Sequence, residues 1–326
     1  MGKVHTRVGR EPLPTYPVKS TISYEQGYAI RGIATIMIIF EHSINEYECY
    51  HSILSNLLLI PSFGTFGCSL FFFMSGYGVF SSLHKKKGTP TIKYLLAHLK
   101  KILVPVAIVY ITNSIVLPYT LAYNDITLNH WNILTLTLPE GTDIWFIKII
   151  LFDYIATFII YKITTDTKKQ LIYLTISQIM LITILHALEW GSYWYIANIC
   201  FALGAIHSIY PLFKREYIFI SVFTIVSCCL CTSIGFINAP VLIIKNITFC
   251  LITTYTISLI HRWPKWLLFI GKNSLYYYLL NIPVMWIISS NNMHFMVYFA
   301  LNVIFTTIFI VIYNKAAKLY PVRQKK

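Results

Sequence analysis

The sequence predicts an all-α integral membrane protein of about ten transmembrane helices, with its N- and C-termini in the cytoplasm. Three observations lead there. The 326 residues are 56% apolar and only 12% charged, against about 25% charge in a soluble domain, and their mean hydropathy is +0.64. The apolar residues fall into runs of the ~20 that a bilayer-spanning helix needs. The basic residues alternate from loop to loop, as the positive-inside rule requires of a multi-pass chain. Together these exclude a soluble enzyme, a disordered chain and a secreted disulfide scaffold.

Residues 1–26 are polar, contain Pro12, Pro14 and Pro17, and lack the short apolar core and small-residue cleavage site of a signal peptide. They are expected to form a cytoplasmic tail, and the first apolar run is expected to stay as a span. Spans are expected near 27–45, 63–83, 102–120, 143–161, 170–188, 193–210, 217–237, 240–260, 266–288 and 294–314. They make one transmembrane domain over 27–315, followed by a basic cytoplasmic tail over 316–326.

The charges test that order. Basic residues cluster in the N-terminal tail, after the second span (Lys85, Lys86, Lys87, Lys93, Lys100, Lys101), at Lys162, Lys168 and Lys169, at Lys214 and Arg215, at Arg262 and Lys265, and in the C-terminal tail. The alternate segments 46–62, 121–142, 189–192, 238–239 and 289–293 hold no Lys or Arg, but do hold Glu46, Glu48, Asp125, Glu140 and Glu189. This pattern fits an even number of spans with cytoplasmic ends in a cell (inner, cytoplasmic) membrane. It also makes the net charge of +14 a topology signal rather than a nucleic-acid patch. The expected surroundings are membrane lipid, with no nucleic-acid partner.

The seven cysteines form no Cys/His cluster of zinc spacing, so no metal is expected. Cys228, Cys229 and Cys231 read as packing residues. No internal repeat is visible, which tells mildly against a secondary transporter.

Four of the 26 basic residues lie elsewhere: Arg31, Lys148, Lys245 and Lys272. The three lysines sit near expected span ends, where each can snorkel. Arg31 lies inside the first span, and a charge there is costly and points to function with a partner. His42 follows eleven residues later. At about 100° per residue the two side chains leave one helix face, about 16 Å apart along the axis. A cation at one end of a face and a titratable base at the other can line a transbilayer passage. The plainer alternative makes His42 a hydrogen-bonded core histidine. Glu41 points about 100° away from His42. Asp153, mid-span in the fourth helix, needs a partner, which a Lys or Arg of a neighbouring helix would supply.

The second span holds small residues at 64, 67, 68, 75, 76 and 78, which allow close helix packing. A second reading is that Ser75-Gly76 leaves room for a ligand and offers a hydroxyl. The lysines at 85–87, 100 and 101 set topology, and can also hold a polyanionic cytoplasmic ligand such as a nucleotide phosphate.

Arg31-Gly32-Ile33-Ala34 through His42 resembles the Arg-x10-His signature of the membrane acyltransferase-3 family, which includes O-acetyltransferases of bacterial surface polysaccharides. Leu70-Phe71-Phe72-Phe73-Met74-Ser75-Gly76-Tyr77 looks like its Phe-Phe-x-x-Ser-Gly-aromatic motif. Lys100 and Lys101, before Pro105, stand where the family often has paired Arg. Trp145-Phe146-Ile147 with Tyr154 resembles its Trp-Phe segment. Gly271-x-x-Ser274-x-x-x-Tyr278-Leu279-x-Asn281-x-Pro283 is similar to its late motif, with Asn281 in place of the usual His. The matches run in family order over roughly 27–285.

The resemblance implies a membrane-embedded O-acyltransferase. It would move an acyl group, most often acetyl, from cytoplasmic acetyl-CoA to a sugar hydroxyl of a surface or lipid-linked glycan. It implies His42 as general base or transient acyl carrier and Arg31 as donor-orienting cation. Ser75, Gly76, Lys85, Lys100 and Lys101 would bind the acyl donor. Glu41, Trp145, Asp153, Tyr278 and Asn281 would contact the acceptor or support the site. The lysines replace arginine at 100 and 101, so bidentate phosphate contacts are absent there. A transporter or flippase of a glycan or its lipid carrier is the alternative, using the same polar face as a conduit.

Overall fold

A computed structural model describes residues 22–46, 63–85, 90–121, 144–212, 221–227, 238–288 and 294–319, and these are helical with no strand among them. The helices of eight or more residues are α1 (Tyr24–Glu46), α2 (Phe63–Lys85), α3 (Ile92–Leu121), α4 (Trp145–Ile163), α5 (Thr167–Ala187), α6 (Cys200–Ile209), α7 (Ala239–Ser258), α8 (Lys265–Lys272), α9 (Ser274–Ile288) and α10 (Phe295–Leu319). By length and composition, five described segments can cross a membrane: α2, Ile92–Ser114 of α3, α5, α7 and Phe295–Lys315 of α10. Helices α1 and α4 are of similar length, 23 and 19 residues. They are less uniformly apolar because they carry Arg31 and Glu41, and Lys148 and Asp153. The chain is a multi-pass membrane protein.

Several ends are set by local chemistry. Asp166 caps α5 by accepting the backbone N–H of Lys168 at 2.8 Å and Lys169 at 3.3 Å. Asn238 caps α7 by accepting that of Val241 at 3.1 Å, with Pro240 in the first turn, where its missing N–H costs nothing.

Helices α1 and α2 form the centre. Between apolar helices in lipid, association rests on van der Waals fit, so small residues sit where backbones touch. A Cβ added to Gly76 would overlap the Phe201 carbonyl of α6, and one added to Gly204 would overlap that of Phe73. Helices α2 and α6 thus meet backbone to backbone through reciprocal glycines. Gly271 of α8 lies equally close to the Tyr28 carbonyl of α1. Phe40 pins the other end of α1, with Phe63, Phe295 and Phe299 at 5.5–5.6 Å in edge-to-face contact.

Two expected spans are built differently. The stretch 193–210 is not one helix. A 3-10 turn, Ser192–Trp194, is followed by tight turns and then the ten-residue α6. Residues 195–201 wind through i→i+3 bonds such as Asn198 N to Tyr195 O (3.3 Å) and Phe201 N to Asn198 O (2.9 Å), which shorten the α-helical part. The stretch 266–288 breaks at Asn273 between α8 and α9. The Asn273 amide donates back to the Phe269 carbonyl at 2.8 Å and accepts from Asn314 of α10 at 3.2 Å. This side chain competes with the helix ladder and is held by a neighbouring helix. Most of the expected span 217–237, the loop residues Lys86, Lys87, Glu48, Asp125, Glu140, Lys214 and Arg215, and Cys228, Cys229 and Cys231 lie outside the described residues.

Candidate active site

The site is assembled on α1, with α9 at one level and α2 and α4 about three turns away. At the first level, Asn281 of α9 is fully buried. Its side-chain amide donates to the carbonyls of Tyr277 at 3.0 Å and Tyr278 at 2.6 Å. Backbone carbonyls only accept, so the amide nitrogen faces them and Oδ1 faces α1. Oδ1 lies 2.7 Å from Nδ1 of the partly buried His42. An amide oxygen is only an acceptor, so Nδ1 carries the proton and donates. The neutral ring then holds its free lone pair on Nε2. One asparagine thus selects the histidine tautomer.

Glu41, one residue earlier, turns to α2 and accepts the backbone N–H of Gly64. That N–H is one of the first-turn donors without a helical partner, and a carboxylate there also suits the helix dipole. Lys245 of α7 interacts electrostatically with Glu41 and lies over the Phe66 ring at 5.5 Å. Lys245 is fully buried. It does not snorkel, because a carboxylate and an aromatic face meet it inside the bundle.

At the second level, Arg31 is partly buried and lies beside Tyr154 of α4 and Tyr28. The hydroxyls of Tyr154 and Ser75 are hydrogen-bonded. Arg31, Ser75 and Tyr154 therefore meet at the junction of three helices. A narrow cleft beside Tyr154 runs between α2, α3 and α4, walled by Val79, Tyr94, His98 and Phe158. His98 donates from Nδ1 to the Tyr94 carbonyl at 2.9 Å, and its ring sits edge-on to Tyr154 at 5.9 Å.

The other expected site residues fall elsewhere. Gly76 offers no room for a ligand, since the α6 backbone fills the space beside it. Asp153 is fully buried and faces α5, where Gln178 donates to its Oδ1 at 2.8 Å. Its partner is a neutral amide rather than the expected Lys or Arg. Lys85, Lys100 and Lys101 are exposed. Trp145 packs against Tyr193 and Trp194, and Tyr278 against Phe146 at 5.5 Å. Lys148 lies over the Trp194 ring at 5.3 Å. Among the described residues no group of three or more His, Cys, Asp or Glu converges as metal ligands.

Sequence reasoning passed over His98 and gave Lys245 a surface role. The i,i+4 spacing of Tyr94 and His98 at the start of a span marks them as one face. Nothing in the sequence pairs Glu41 with Lys245, 204 positions away.

A profile of the acyltransferase-3 family, described as an acyltransferase domain, matches residues 29–314. The chain belongs to the acyltransferase-3 family. Searches of curated proteins and of solved structures found no match. As an acyltransferase-3 protein it is a membrane acyltransferase, and Arg31, His42, Ser75, Tyr154 and Asn281 all fall inside the matched region.

Proposed function

We propose that this acyltransferase moves an acetyl group from cytoplasmic acetyl-CoA to a sugar hydroxyl of an exported or lipid-linked glycan. In this reading it lies in the inner membrane, with ten spans and both termini in the cytoplasm. The observation that carries the chemistry is the His42–Asn281 contact at 2.7 Å, which leaves Nε2 free to take a proton.

His42 Nε2 accepts the proton of the acceptor hydroxyl as its oxygen attacks the thioester carbonyl. A C–O bond forms, the C–S bond breaks, and the imidazolium returns its proton to the departing coenzyme A sulfur. Asn281 Oδ1 keeps accepting from Nδ1–H throughout, so the ring does not flip. Arg31, with the Tyr154 and Ser75 hydroxyls, holds the polar part of the donor's pantetheine arm. The exposed Lys85, Lys100 and Lys101 draw the polyanionic nucleotide to that end. The acceptor approaches from the end of the bundle whose connecting segments hold no Lys or Arg.

The test is transfer of label from radiolabelled acetyl-CoA in membranes holding wild type or His42→Ala at equal expression. Label should reach glycan or lipid-linked glycan with wild type only. Near-normal transfer by His42→Ala would sink the mechanism. Coenzyme A should also raise the unfolding temperature of the purified protein, and a flippase gives no such shift.

A further inference from the structure

The link between α5 and α6 holds an aromatic cluster that the chemistry above does not use. Trp190 and Trp194 meet edge-to-face at 4.5 Å. Trp145 of α4 backs them, 5.7 Å from Tyr193 and 6.1 Å from Trp194. Trp194 is 8% exposed, whereas Trp190 and Tyr193 are 44% and 48% exposed. The cluster is thus anchored by the buried Trp194 and the partly buried Trp145 and presents two ring surfaces outward.

The backbone beside it is unusual. Helix α5 ends with the Glu189 N–H donating to His186 O and the Trp190 N–H to Leu185 O, both at 3.1 Å. This is the Schellman pattern, whose left-handed position normally holds Gly. Here that position is Glu189, with φ 58°, the one non-Gly residue of positive φ among the described residues. Left-handed backbone strains a residue bearing a side chain, and the side chain it bears here is an exposed carboxylate, one residue before Trp190. Residues 186–200 contain no Lys or Arg.

The cluster also connects to the catalytic histidine. Trp145 meets Phe146 at 6.1 Å, Phe146 meets Tyr278 at 5.5 Å, and the Tyr278 carbonyl accepts from the Asn281 amide that holds His42.

We propose that Trp190, Tyr193 and Trp194, with the adjoining Glu189, form a binding platform for a neutral pyranose ring of the acceptor. The proposal rests on the glycan-acceptor reading above and assigns that acceptor a place. A pyranose has a face of C–H bonds and a rim of hydroxyls. Aromatic faces remove the first from water, and a carboxylate accepts from the second. Glu189 is the only Asp, Glu, Lys or Arg in 186–200, and Lys148 of α4, over the Trp194 ring at 5.3 Å, balances its charge, so the cluster suits an uncharged polyol better than an anionic lipid headgroup or a nucleotide. The contact chain through Phe146 and Tyr278 keeps the platform in fixed register with His42.

The test is saturation-transfer NMR on the full chain in nanodiscs of neutral phospholipid. The probes are soluble trisaccharides of glucose, galactose and N-acetylglucosamine. At least one should receive saturation on its ring C–H protons. The effect should fall at least fivefold in Trp190→Ala/Tyr193→Ala and stay unchanged in Trp266→Ala, an exposed tryptophan on α8. Should the double variant fail to fold, Glu189→Gln, which changes only an exposed group, should weaken the effect at least twofold. No transfer to any of the three sugars, or equal transfer in the double variant and wild type, overturns the platform and leaves these rings as interfacial anchors. Coenzyme A stabilisation is measured on the same samples. Sugar binding without it keeps the platform and removes the acetyl-CoA donor reading. Coenzyme A stabilisation without sugar binding does the reverse.

Discussion

The two levels of α1 hold their polar groups in opposite ways. His42 is tied through one atom to one partner, Asn281, which is itself tied by two backbone carbonyls. Its ring has one orientation, and among the described residues its other nitrogen is free. Arg31 sits among hydroxyls, with Tyr154 and Tyr28 beside it and Ser75 bonded to Tyr154, and among the described residues its five donors are not committed to a fixed acceptor geometry. The first arrangement suits proton transfer, which needs one atom at one place. The second suits holding a flexible, anionic substrate, which needs charge and donors more than fixed geometry. A single helix face can therefore carry a chemical end and a binding end.

That contrast can be broken in several ways. The largest effect is expected at His42. Replacing it with Ala should lower kcat by ~10²–10⁴-fold, the usual worth of a general base, with the KM for acetyl-CoA little changed. Label-transfer assays over a range of donor concentrations check this. Arg31→Ala should show the other signature: a KM for acetyl-CoA raised ~10-fold or more, from loss of charge-assisted contacts of about 1.5–3 kcal/mol. Arg31→Lys should recover only part of it, since an ammonium lacks the planar donor fork. A fall in kcat alone for Arg31→Ala would erase the division.

Asn281→Leu keeps the volume but removes the acceptor for Nδ1–H. It should reduce kcat ~10-fold, about 1.4 kcal/mol, without moving the donor KM. Asn281→Asp, which keeps the acceptor, should retain more activity than Asn281→Leu. Equal loss in both would make Asn281 a packing residue only. The smallest effect belongs to Tyr154→Phe, which removes one neutral hydrogen bond of about 1 kcal/mol and should raise the donor KM ~5-fold with kcat intact.

Much of this site was legible before any coordinates. Arg31 and His42 stood out because a charge and a titratable ring inside an apolar run are costly and share a helix face. Asn281 was visible as a departure from a motif, but its role was not. That role depends on two carbonyls of its own helix and on a histidine 239 positions away. Gly76 was ambiguous for a related reason. A small residue leaves space in the sequence, and only the neighbouring helix decides whether a ligand or a backbone fills it. Asp153 was expected to need a cation, and Gln178 supplies a neutral donor instead.

The sequence by itself determined that the chain is a helical membrane protein, and that its first helix carries a cation and a base on one face. Those facts follow from composition and from the 3.6-residue period, which act within a single segment. Tertiary structure decided which nitrogen of His42 is free, why Lys245 is buried, where α8 gives way to α9, and which glycines are contacts rather than pockets. Each of these depends on an atom contributed by another helix. In lipid, where helices associate through close fit rather than through the hydrophobic effect, a pattern read along one strand of sequence does not contain that atom.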